Sequence, residues 1–117
     1  MKILLVDDEP EICLLLKAIL LRHGMTSTGV YSLAEARQTL ELGDYDGVFL
    51  DVNLPDGKGY ELIPELKAKF PSARVIVISA MDQERTSSLN AGADLFLSKP
   101  FDRHTVLGSL QQVGLVH

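Results

Sequence analysis

A strict alternation of short apolar runs with segments of helical spacing limits this chain to a small set of architectures. The runs are Lys2–Val6, Thr26–Val30, Asp46–Leu50, Arg74–Ile78 and Asp94–Leu97. All but the second are nearly continuous in Val, Ile, Leu and Phe, the pattern of strands covered on both faces. Thr26–Val30 mixes in Ser, Thr and Gly, which suits the edge of a sheet. The intervening segments carry helix punctuation. Pro10 fits a first helical turn, Ile12, Leu15, Leu16, Ile19 and Leu20 share one face, and His23-Gly24 closes the helix. Ser32 and Glu35 have capping-box spacing for a second helix ending at Gly43. A third is expected from Gly59 to Phe70, stopped by Pro71, with Pro64 bending its first turns or delaying its start. A fourth covers Asp82–Ala91 before Gly92, and a fifth Asp102–Val113.

Strands alternating with helices over short connections demand a parallel sheet with helices on both faces. Five strands in 117 residues favour a single α/β domain over 1–117, a flavodoxin-like doubly wound sheet of order 2-1-3-4-5 with five helices. An apolar content of 46% supports one core without disulfides or a structural metal. The single cysteine, Cys13, lies in the apolar pattern of the first helix and reads as core; one cysteine fits a reducing cytoplasm. The net charge of −5 argues against nucleic acid as a direct partner. The first apolar run stops at Asp7-Asp8-Glu9, too early for a signal peptide. No run approaches the roughly 18 apolar residues of a membrane span.

In an open parallel sheet, ligands bind beyond the carboxyl ends of the strands, where the strand order reverses. The first strand leads into Asp7-Asp8, the third into Asp51, the fourth into Ser79-Ala80 and the fifth into Ser98-Lys99-Pro100. With those strands side by side, three carboxylates, a hydroxyl and an ammonium meet at one end of the sheet. Crowded carboxylates raise one another's pKa, and a hard divalent cation such as Mg2+ or Mn2+ relieves the repulsion. Such an ion can bridge a carboxylate and an incoming phosphoryl group. Lys99 adds charge for phosphate oxygens, Ser79 a hydrogen-bond donor, and Asp51 a nucleophile able to form an acyl phosphate. Singly, each residue has a plainer reading. Asp7 and Asp8 would be helix-start acids, Ser79 a cap, and Lys99-Pro100 and Gly57-Lys58-Gly59 turns. The set at successive strand ends is what points to phosphoryl chemistry.

At Leu4-Leu5-Val6-Asp7-Asp8-Glu9, Asp51-Val52-Asn53-Leu54-Pro55-Asp56-Gly57, Ile78-Ser79-Ala80 and Lys99-Pro100-Phe101 the sequence closely resembles the receiver domains of bacterial two-component signalling, chemotaxis-regulator-like. The resemblance runs along essentially the whole chain. It implies Asp51 as phosphoacceptor, with Mg2+ held by Asp8, Asp51, the Asn53 carbonyl oxygen and, through water, Asp7. It implies Ser79 as the switch hydroxyl, Lys99 as partner of the phosphoryl group and a cis peptide before Pro100. Phe96 stands where the family often has the Tyr that swings inward; a static core side chain is the alternative there. Asn53 and Met81 flank the site and would tune phosphoryl lifetime. The implied donor is a sensor histidine kinase or phosphotransfer protein, docking near Pro10–Leu14. The implied readout is a changed surface on the fourth helix, fifth strand and fifth helix, which controls an output domain or target and is the family's usual homodimer face.

The fourth helix has few apolar anchors; Leu89, Ala91 and Met81 must hold it, as expected of an element that moves. His23, His104 and His117 are not placed at strand ends, so neither a phosphohistidine donor nor Ser/His/Asp hydrolysis is indicated. Such a switch is not an enzyme in the ordinary sense, although it would catalyse its own phosphorylation and dephosphorylation. Three alternatives make different demands on these residues. An aspartyl-phosphate phosphohydrolase would need an acid at Asn53. A flavin carrier would need a phosphate loop where Asp7-Asp8-Glu9 stands. A phosphorylation-independent binding receiver would need none of the acidic set.

Overall fold

Period-two alternation decides which face of the sheet each strand residue serves. In the computed structural model, which describes residues 1–116, β1 (Lys2–Val6) sends Ile3 and Leu5 to one face and Leu4 and Val6 to the other. The same division holds in β3 (Gly47–Asp51) and β4 (Arg74–Ser79). With β2 (Thr26–Val30) and β5 (Leu95–Ser98) they form one parallel sheet of order β2-β1-β3-β4-β5, the doubly wound order expected. The helices are α1 (Pro10–Arg22), α2 (Leu33–Leu42), α3 (Ile63–Lys69), α4 (Arg85–Asn90) and α5 (Arg103–Gln112). α1 and α5 cover Ile3, Leu5, Phe49, Ile76 and Ile78; α2 and α3 cover the opposite face at Leu4, Val6, Val48, Leu50, Val75 and Val77. His117 lies outside the described residues.

Several local expectations need correction. β5 is not a fully buried strand: it forms the second edge of the sheet, and only Phe96 of its four residues is buried. β3 extends through Asp51, because its pairing with Ile78 carries the ladder past the last apolar residue. On α1 the buried set is Cys13, Leu16, Ile19 and Leu20, while Leu15 is exposed. Pro64 delays the third helix: a 3-10 turn over Gly59–Leu62 precedes α3, which starts at Ile63. The α2 cap is a displaced capping box. Ser32 Oγ accepts the Glu35 amide at 3.1 Å, but the Glu35 carboxylate takes the N–H of Tyr31 rather than that of Ser32. Leu89 and Met81 do not anchor α4. Both side chains face solvent, and the buried residue of the helix is Ser88, whose hydroxyl donates to the Glu84 carbonyl at 2.7 Å. The short helix therefore rests on polar contacts, with Ala91 packed beside the core.

Candidate functional site

Register brings the strand ends together. Val6 pairs with Leu50 and Asp51 with Ile78, so Asp7 emerges from β1 beside Asp51. Ser79 pairs with Ser98, and the Lys99 amide donates to the Ser79 carbonyl at 2.8 Å, which delivers Lys99 to the same end. The Lys99–Pro100 peptide is cis. Gly59 closes the site from below. Its amide donates to the Val52 carbonyl at 2.7 Å, and a Cβ there would run into the Asp51 carbonyl oxygen.

The result is an acidic pocket with a buried floor and an open rim. Carboxylate oxygens of Asp7, Asp8, Glu9 and Asp51 lie within 4.8 Å of one another. Asp51 is 4% exposed and Asp7 1%, whereas Asp8 and Glu9 face solvent. The Lys99 ammonium sits 2.9 Å from Asp7 Oδ2, 3.2 Å from Glu9 Oε1 and 3.6 Å from Asp51 Oδ2. Burial pushes the Asp51 carboxyl up to about 6, with Asp7 and Asp8 adding to the rise against Lys99 and the Asn53 amide. Burial likewise raises Asp7, opposed by the Glu9 amide and Lys99. Burial pulls the Lys99 ammonium down, but Asp7, Asp51 and Glu9 together outweigh it and hold it above its usual value.

Asp7 Oδ1 accepts the Glu9 amide at 2.9 Å, but the buried Oδ2 has no hydrogen-bond donor; its contact with Lys99 is an ion pair without hydrogen-bond alignment. One ammonium out of hydrogen-bond alignment leaves the shell of this buried carboxylate oxygen incomplete, with a place for a further cation or an ordered water. The donor set is all oxygen, which suits a hard divalent ion. The residues present therefore fit such an ion on both counts.

Around this pocket, Ser79 is fully buried and its Oγ accepts the Met81 amide at 3.0 Å. Phe96 is buried beneath the Arg85 guanidinium, 4.7 Å from its ring centre. Asn53 and Met81 occupy the exposed rim, joined by a 3.6 Å contact from Asn53 Nδ2 to Met81 Sδ. His23 and His104 lie together at a separate cleft with Arg22 and Arg103, away from the acids. Three contributors escaped sequence reasoning. Glu9 is a fourth carboxylate in the cluster, signalled only by its place after Asp7-Asp8. Lys58, read as turn chemistry, reaches Asn53 and Glu84. Asp56 accepts the Leu33 and Ala34 amides at 2.8 and 2.9 Å, capping α2 from a distant loop. No local signal foretold that partnership.

The response regulator receiver domain profile matches residues 3–111. The chain belongs to this family. Among curated relatives, the response regulator protein PilR of Pseudomonas aeruginosa is 36% identical over 114 residues, which is 96% of this chain and 25% of the relative. The transcriptional regulatory protein TcrA of Mycobacterium tuberculosis is 34% identical over 97% of this receiver domain and 46% of its own length. The chain thus spans a quarter to half of the curated relatives it matches. Among solved structures, the response regulator TrrA of Thermotoga maritima, in complex with Mg2+ and BeF, shares 32% identity at a TM-score of 0.85, covering 96% of this chain and 97% of its own. A two-component response regulator from Clostridium difficile gives a TM-score of 0.89 at 26% identity, covering 97% and 94%. The receiver domain is therefore a component of two-component signalling, and among its described residues no helix is long and apolar enough to cross a membrane.

Proposed function

We propose that this receiver domain, over 1–117, is a phosphorylation-controlled cytoplasmic switch whose phosphoacceptor is Asp51. The observation that carries the reading is the convergence of Asp7, Asp8 and Asp51 at the carboxyl edge of the sheet, with the Lys99 ammonium 2.9 Å from the buried Asp7 Oδ2 and 3.6 Å from Asp51. Asp8, Asp51, the Asn53 carbonyl and, through water, Asp7 would hold Mg2+ or Mn2+; that TrrA is found in complex with Mg2+ supports a divalent ion in such a domain. When bound, that ion supplies positive charge that offsets the carboxylates and the phosphoryl oxygens.

The chain's own residues do the rest. An Asp51 carboxylate oxygen attacks phosphorus of a phosphohistidine on a sensor kinase or phosphotransfer protein; the P–O bond forms as the P–N bond breaks and the imidazole leaves. Lys99, held above its usual pKa, stays cationic and pairs with the incoming phosphoryl oxygens. Ser79 releases the Met81 amide and donates to the phosphoryl group instead, and Met81–Arg85 follows. Arg85 lies over Phe96, so the movement is passed to Phe96 and to the face made by α4, β5 and α5. That face would control an output domain or target and could pair with a second copy.

The test is intact mass after incubation with acetyl phosphate, with and without Mg2+, in wild type and Asp51→Asn. A phosphoryl adduct that needs the ion and vanishes in the variant is expected. No adduct and no inorganic phosphate release, despite measurable Mg2+ binding, would overturn the reading in favour of phosphorylation-independent binding.

A further inference from the structure

We propose that Lys58 is a positioning residue that clamps the Asn53 side chain to the start of α4 and so slows loss of the phosphoryl group from Asp51. This rests on the phosphoacceptor reading above. Lys58 ends a two-residue ribbon in which Gly57–Lys58 pairs antiparallel with Asn53–Leu54, placing Lys58 opposite Asn53. From there its ammonium donates to Asn53 Oδ1 at 3.0 Å and meets Glu84 Oε1 at 3.4 Å. The other end of the Asn53 carboxamide touches Met81 Sδ. A continuous line of contacts therefore runs along the pocket rim, from the loop after β3 to the turn after β4.

An exposed ion pair alone would carry little weight. This one differs in two respects. The Glu84 side chain is only 15% exposed, and the same ammonium makes a second, charge-assisted bond. The segment it grips is also poor in alternatives, since Ser88 is the buried residue of α4 and Leu89 is 43% exposed. The Asn53 backbone is already held by its antiparallel pairing with Lys58 in the ribbon. Its side chain is the remaining freedom, and Lys58 removes it.

Phosphoryl loss is attack of water on phosphorus, breaking the bond to the Asp51 oxygen and releasing inorganic phosphate. Its rate depends on how readily a water is ordered at the rim, which the Asn53 side chain restricts while Lys58 holds it, and that bond lies within the loop after β3, so it persists when Met81–Arg85 moves. In K58M, which keeps the aliphatic stem, decay of the adduct after removal of acetyl phosphate should accelerate roughly three- to tenfold, the scale of one ordinary net hydrogen bond, because the Lys58 end of the pair is solvated. Hydrogen exchange at Glu84 and Arg85 in the unphosphorylated protein should quicken as well. K58R should restore both, and K58M should add little in an N53A background. Unchanged decay in K58M on a phosphorylated Asp51, or additive effects of K58M and N53A, would overturn the role of Lys58 alone. A wild type that takes up no phosphoryl group would overturn the Asp51 reading and this role with it.

Discussion

At the scale of single residues, the acidic pocket sets the pH behaviour. Burial lifts the Asp51 carboxyl from its ordinary value to about 6, so the folded chain binds its proton more tightly than the unfolded chain does. Its contribution to stability is therefore fully present below the unfolded value, falls between those two values and is a penalty above the upper one. A divalent ion competes with that proton and relieves the penalty. Mg2+ should accordingly raise Tm clearly at about pH 8 and hardly at about pH 5, because at the lower pH the Asp51 carboxyl is largely protonated and the ion must displace it. Thermal scans at the two pH values check this; an equal increment at both would contradict it. Gly59 gives a second prediction. Gly59→Ala forces its Cβ onto the Asp51 carbonyl, so urea unfolding should show a loss of about 1–3 kcal/mol, together with a lower phosphoryl yield. A variant with unchanged midpoint and yield would show that the loop yields freely.

At the scale of elements, what was legible in the sequence separates along physical lines. β1, β3 and β4 were readable because burial on both faces leaves continuous apolar runs, and α1 because Pro10 and Gly24 bracket it. Asp7, Asp8, Asp51, Ser79 and Lys99 were readable as a set because a parallel sheet places its strand ends together. β5 was misjudged, since Leu95 and Leu97 are apolar yet lie at an edge where α1 and α5 cover them only in part. The Asp56 cap and the Lys58–Glu84 contact escaped because each joins residues at least 22 positions apart through polar atoms, which leave no periodic trace. α4 illustrates the consequence for stability. Its largest apolar side chain faces water, so Leu89→Ala should cost under about 0.5 kcal/mol, whereas Leu66→Ala in buried α3 should cost roughly 2–5 kcal/mol. Amides of α4 should exchange faster than those of α3 or β4. Equal protection across the three would mean that the polar contacts hold α4 as firmly as a core.

At the scale of the molecule, one sheet divides two apolar layers, and both must form together for either to be dry. Relatives carry a similar unit within chains two to four times longer. Cys13 reports on the cohesion of the two layers. Its thiol is buried in the α1–α5 layer against Gly29 of β2, donates weakly to the Asp7 carbonyl at 3.6 Å, and is pushed up to about 11 by burial, with the Asp7 charge adding to the rise. A thiol so placed is almost wholly protonated near neutral pH and shielded from reagents. It should stay unmodified by a disulfide reagent at about pH 8 in the folded protein. Reactivity should appear along the same urea curve that far-ultraviolet circular dichroism traces, because exposing Cys13 requires α1 to leave the sheet and that opens the layer shared with α5. If the thiol became reactive well before the dichroism changed, α1 would be detaching on its own. The two layers would then be separable units rather than one.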